Sequence, residues 1–174
     1  MAYSFVESSA NNQTLEETQL VLTYELGRIF NCLYNVRDLV GYDTFGRTEM
    51  SDFISMMRML CEQKSWNYEL LMKEATSLPS RYDYNGVLAK MMIALGKLIR
   101  GLHYVKRFND PRGDDPLIAM VELLRWSRQL CLSLHWDYWQ LQDLGELRYE
   151  ERMQDLRANG ISTGLKLEYR RINE

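Results

Sequence analysis

The chain repeats itself. Leu26-Gly27-Arg28 returns 69 residues later as Leu95-Gly96-Lys97, and the same offset pairs Leu33 with Leu102, Val36 with Val105 and Arg37 with Lys106. One residue is gained in the following loop. From there an offset of 70 pairs Arg58 with Arg128, Leu60-Cys61 with Leu130-Cys131, Trp66-Asn67-Tyr68 with Trp136-Asp137-Tyr138, and Leu71 with Leu141. Leucines and valines fall in phase in any two amphipathic helices. A Trp followed by a capping Asn or Asp and a Tyr, at one fixed distance after Leu-Cys, does not recur for that reason. A repeat of this kind decides the architecture before any single element is considered. It predicts an all-α helical bundle of two tandem, diverged units that bury their long helices against each other as a single-chain pseudo-dimer.

The units have recognisable helix signals. Thr14 and Glu17 have the spacing of a capping box, and Leu20, Leu22, Tyr24, Leu26, Ile29, Phe30 and Leu33 then form one apolar face, predicting a first helix to about Arg37 or Leu39. Gly41 and Gly46 mark a loop, Thr48 is the expected N-cap of a second helix carrying Phe53, Ile54, Met56, Met57, Leu60 and Cys61, and Asn67 caps a short third helix toward Pro79. The pattern restarts with Val87, Met91, Leu95, Leu98, Ile99, Leu102 and Val105. Pro116 suits the first turn of the next helix, and Asp137 caps a last long one ending near Gly160. The expected organisation is a flexible leader over 1–13, a first repeat over 14–79, a degenerate second repeat over 80–160 and a tail over 161–174.

Composition narrows the class of partner. With 46% hydrophobic and 26% charged residues the 174-residue chain can form both a core and a solvated surface. A net charge of −3 provides no basic field, which argues against a nucleic-acid or anionic-membrane partner. No run of about 18 apolar residues and no signal-peptide pattern occurs, so the expectation is a cytoplasmic protein with no membrane partner. Cys32, Cys61 and Cys131 each fall inside an apolar helical pattern, which suits buried free thiols.

The informative side chains are acids. Glu49 and Asp52 are three residues apart at the start of the second helix, so both project from one side, about one turn apart. If the first two helices pack antiparallel, Glu25 joins them in a cluster of hard oxygen donors suited to Mg²⁺, or to Mn²⁺. The alternative is structural: acids in a first turn stabilise a helix through its dipole by about 0.3 to 1 kcal/mol with no metal involved, and Glu25 pairs with Arg28 one turn on. His103 and His135 read as core-edge residues, and the methionines as gap fillers.

Glu-Leu-Gly-Arg on one helix, then Glu-Met-Ser-Asp opening the next, then Trp, a capping Asn and Tyr-Glu-Leu-Leu, resembles the MazG-type all-α nucleoside triphosphate pyrophosphohydrolases over residues 18 to 76. That family carries ExxE on one helix and ExxD on the next, with a Gly before the second Glu. The resemblance implies that Glu25, Glu49 and Asp52 are metal ligands, with Gly27 at the family's Gly. It also implies that Glu49 or Asp52 accepts the proton of an attacking water. Arg28 stands where the second Glu belongs. In the second repeat Ala94, Lys97 and Ala119 replace three of the acids, and only Glu122, matching Asp52, stays acidic.

The resemblance therefore implies a Mg²⁺-dependent enzyme splitting an NTP or dNTP into monophosphate and pyrophosphate, with one site, in the first repeat. Arg28 and Lys73 are then candidates for gripping the substrate phosphates, and Tyr24, Tyr34, Tyr42 or Trp66 for holding the base. Its repeat surfaces also allow a homo-oligomer. A catalytically inactive bundle, kept as a protein-interaction or nucleotide-binding module, is the competing expectation, because Arg28 competes with a metal for Glu25.

Overall fold

A computed structural model describes residues 14–36, 46–76, 83–108 and 114–159. The leader, the tail, Gly41, Tyr42, Pro79 and Pro111 lie outside those ranges. The described residues form six α-helices and no strand: α1 (Leu15–Asn31), α2 (Arg47–Gln63), α3 (Tyr68–Glu74), α4 (Tyr84–Phe108), α5 (Pro116–Ser133) and α6 (Tyr138–Asn159). None is long and apolar enough to cross a membrane.

The helix signals act largely as expected. Thr14 accepts from the Glu17 amide while the Glu17 carboxylate accepts from the Thr14 amide, closing the capping box. Asn67 accepts from the Leu70 amide, Asp137 from those of Trp139 and Gln140, and Asp115 caps α5 with Pro116 in its first turn. Two ends differ from expectation. The α-helical part of α1 stops at Asn31 and passes into a π-helical turn, Cys32–Val36. α2 starts one residue before Thr48, with Gly46 as its N-cap at φ 90°, a left-handed conformation only glycine adopts freely.

The junctions after α2 and α5 are alike in detail. Ser65 and His135 take positive φ (56° and 58°), and Trp66 and Trp136 then donate their amides back to Cys61 and Cys131, both at 2.8 Å. Ser65 likewise donates to Glu62, and His135 to Leu132. This is the Schellman pattern, in which a left-handed residue just past the helix lets two amides cover its last carbonyls. Each Trp follows that residue directly, and the N-cap of the next helix comes after it.

α2 is the centre of the core. Met50, Phe53, Ile54, Met56, Met57, Met59 and Leu60 are fully buried, and so is Ser55, whose hydroxyl donates to the Asp52 carbonyl. A helix buried on nearly all sides needs cover on more than one. α1 packs on one side and α6 on another, while α4 pairs with α5, and α3 also packs on α5. Thus α3, from the first half of the chain, lies on a helix of the second half, and α6, from the second half, lies on a helix of the first. Where these paths meet, the buried Tyr68 hydroxyl donates to Gln142 of α6 at 2.8 Å.

Glycine substitutions should separate contacts that matter from those that do not. A Cβ at Gly145 on α6 would fall 2.3 Å from Ile54 Cγ2 and 3.3 Å from the Ser51 carbonyl, so Gly145→Ala should cost about 1–3 kcal/mol in urea unfolding as α6 is pushed off α2. At Gly27 a Cβ meets nothing within 4 Å, and Gly27→Ala should leave stability unchanged or raise it by up to about 1 kcal/mol. Burial pushes the Cys61 and Cys131 thiols up from 9.0 to about 12. Between those values the unfolded chain gives up protons that the folded chain keeps, so stability should fall as pH climbs from about 9 to about 12. Urea midpoints over that range should fall less steeply for Cys61→Ala/Cys131→Ala than for the wild type.

Candidate functional site

The π-helical turn, the N-terminus of α2 and the middle of α6 converge on the acids. Glu25 is fully buried on α1, and Asp52 and Glu49, at 4% and 9% exposure, sit in the first turns of α2. Three unpaired carboxylates cannot stay ionised at that burial without compensation. The Glu49 carboxylate accepts the Gly46 amide at 2.9 Å, which caps the helix, and it is also hydrogen-bonded to the Cys32 thiol. Burial first, and then the Glu49 charge, push that thiol's pKa up, so it stays protonated and donates.

The main compensation is Arg28. Its Nη1 lies 3.0 Å from Glu25 Oε2, 3.3 Å from Glu25 Oε1 and 3.4 Å from Asp52 Oδ2, while Nη2 lies 3.0 Å from Glu49 Oε1. One planar guanidinium thus bonds to all three acids, using the several donors that distinguish arginine from lysine. Burial works against its charge, but Glu25, Glu49 and Asp52 more than offset that and hold its pKa above the ordinary arginine value. Arg28 stays ionised at any working pH.

Two further cations come from α6. Arg148 Nη1 lies 2.9 Å from Asp52 Oδ1, and Arg152 Nη2 lies 3.8 Å from the same oxygen. Three carboxylates face three arginines, so the cluster is close to neutral as it stands. Neither Arg148 nor Arg152 is among the residues singled out from sequence. Their spacing of four places them on one face of α6, but nothing local shows that this face meets α2, and Asp52 and Arg148 are 96 residues apart.

Of the residues that the sequence does single out, Glu25, Arg28, Glu49 and Asp52 are brought together. Lys73 stands exposed on α3 and shares no hydrogen bond or ion pair with them. In the second half the matched cation and acid are also joined, with Lys97 Nζ at 3.3 Å from Glu122 Oε2, although both are partly exposed. Ala94 and Ala119 are buried there at the positions of Glu25 and Glu49.

The fit of a divalent cation can be judged on the donors. Carboxylate oxygens are the right chemistry for Mg²⁺ or Mn²⁺, but here they are turned onto a guanidinium. Among the described residues no group of three or more His, Cys, Asp or Glu side chains is arranged to hold a metal ion. As built, the cluster does not fit Mg²⁺; it holds Arg28 at the place where the sequence pattern puts a metal.

Removing Arg28 should therefore be costly. Arg28→Ala leaves three buried carboxylates short of their cation and should destabilise the fold by about 3–5 kcal/mol in chemical unfolding. Adding Glu49→Gln to that variant should recover part of the loss, because the two changes act on one network. Arg148 is 38% exposed, so solvent screens its pair, and Arg148→Ala should cost under about 1 kcal/mol. Comparison with known proteins adds no family to this geometry: no protein-family model matches the chain, and no curated protein or solved structure matches it.

Proposed function

We propose that the chain is a MazG-like helical module without hydrolytic turnover, built from two diverged copies of one unit closed on each other as a pseudo-dimer and retained for binding. The observation that carries this reading is the bonding of the Arg28 guanidinium to Glu25, Glu49 and Asp52 at 3.0–3.4 Å. A cation tethered to α1 competes with any dissolved ion at high effective concentration. Metal binding would also have to break a cluster that is already charge-balanced by Arg148 and Arg152. The pairing Lys97–Glu122 supports the same view, because a cation on the first helix and an acid on the second is what both halves keep. For the pseudo-dimer, support comes from the matched Schellman junctions and from the reciprocal packing of α3 on α5 and α6 on α2.

A second reading has its own observation. Glu25, Glu49 and Asp52 do converge from two helices on one charged group, as an NTP or dNTP pyrophosphohydrolase dependent on Mg²⁺ or Mn²⁺ would require. It also requires Arg28 to leave all three acids.

One assay decides between the two. Purified protein incubated with a panel of NTPs and dNTPs plus Mg²⁺ or Mn²⁺ should release no more pyrophosphate than Glu49→Gln or Asp52→Asn. Metal-dependent release that disappears in both variants would establish the hydrolase instead.

A further inference from the structure

α3 and α6 begin alike and differ in length. Counting 70 residues back from Gly145 gives Ala75, and Ala75 is the buried C-cap at which α3 ends. α6 instead runs on to Asn159, with Gly145 close against Ile54 and the Ser51 carbonyl of α2 and with Arg148 at Asp52. α3 packs on α5, but it stops at the point where the longer helix goes on along α2. The same offset carries Ser51 and Ser55 of α2 to Val121 and Arg125 of α5. The two serines are buried, whereas Val121 and Arg125 are only half-buried.

The less covered stretch of α5 is also the more apolar. α2 opens with Arg47 and Thr48, and α5 has Leu117 and Ile118 at those positions, 39% and 59% exposed. Ile118, Val121 and Arg125 are three and four residues apart, so they share one face of the helix. A single exposed leucine needs no explanation, but apolar side chains grouped on one face beside an existing helix contact mark a surface that meets another protein.

Charge decides what that other protein is. Asp114 stands just before α5, Arg125 lies well inside it, and Ile118 and Val121 come between them. The midpoint of 118 and 121 is also the midpoint of 114 and 125. A second α5 laid antiparallel over that midpoint therefore sets Ile118 against Val121 of the other copy, and Asp114 against its Arg125, with each contact made twice. A surface that matches its own reverse is what a two-fold dimer requires. Opposite charges at both ends fix the register, and opposed helix dipoles favour the same antiparallel arrangement.

We propose that the N-terminal half of α5 is the interface of a homodimer, in which α5 of a second copy continues the contact that α3 makes and covers α5 where α6 covers α2. The interface centres on Leu117, Ile118 and Val121, with Asp114 and Arg125 at its ends. It is small, and the dimer it forms is reversible.

The test uses the full chain. Sedimentation equilibrium from about 1 to 200 μM, the range over which a small reversible interface dissociates, should show monomer passing to dimer. Ile118→Glu changes an exposed position, so it should leave Tm unchanged while weakening dimerisation at least about tenfold, through the cost of an unpaired charge in the interface. Asp114→Arg and Arg125→Glu should each weaken it as well, because each sets like charges together at both ends. The double variant Asp114→Arg/Arg125→Glu restores opposite charges and should recover most of the wild-type association, which general adhesion of an apolar surface would not do. A chain that stays monomeric up to about 200 μM overturns the proposal. A dimer that Ile118→Glu leaves intact, or a double variant no tighter than either single one, overturns it equally. The readout is mass, so this proposal and the reading of the acidic cluster fail separately.

Discussion

The packing of α6 against α2 is the contact on which the rest depends. α2 has too little polar surface to face water anywhere but near its ends, with Met50, Phe53, Ile54, Met56, Met57, Met59 and Leu60 all fully buried. α1 alone covers one side. The remaining side is closed by a helix from the other half of the chain, and it is closed tightly, because Gly145 has no side chain to hold Ile54 and the Ser51 carbonyl away. The same approach brings Arg148 and Arg152 to Asp52. Apolar packing and charge balance are thus satisfied by one helix, and loosening either affects the other.

That coupling explains how three carboxylates survive at the centre. A buried ion cluster is tolerated only where every charge has a partner with good geometry. Arg28 reaches the acids from α1, the Gly46 amide and the Cys32 thiol reach Glu49 from the loop end and the π-helical turn, and the arginines of α6 reach Asp52. The second half does not face the problem. Ala94 and Ala119 stand buried where the sequence offset puts Glu25 and Glu49, and the Lys97–Glu122 pair is exposed enough to be solvated. One half therefore has a dense polar junction under its helices while the other has a single, partly exposed ion pair, although both end their second helix in the same Schellman turn.

How much of this can be read from sequence depends on the range of the interaction. The caps at Thr14, Asn67 and Asp137 involve residues three apart, and they are legible for that reason. Glu25, Glu49 and Asp52 are legible as a group through their spacing and the hairpin of α1 and α2. Thr48 misleads, because a good capping residue stands two positions after a glycine whose left-handed conformation lets Glu49 cap the helix in its place. The π-helical turn misleads too: Leu33 is buried as the apolar face requires, but the helix has widened there. Least legible are the partners set by the path of α6. Nothing in the local sequence distinguishes Gly145, pressed on Ile54, from Gly27, which touches nothing within 4 Å.

Arg58 and Arg128, 70 residues apart, hold like positions on α2 and α5. Arg58 and Arg128 each lie on the tyrosine that opens the following helix, so the guanidinium–ring contact belongs to the shared frame. What differs is the next residue, Glu69 or Trp139. An indole at that position gives the arginine a second ring contact, whereas a carboxylate pairs with it from the exposed side and leaves the Nε unmatched. Arg28 has the opposite character, with both terminal nitrogens committed to acids. The two ends of α2 thus hold guanidinium groups in different ways, one among acids and one on a ring.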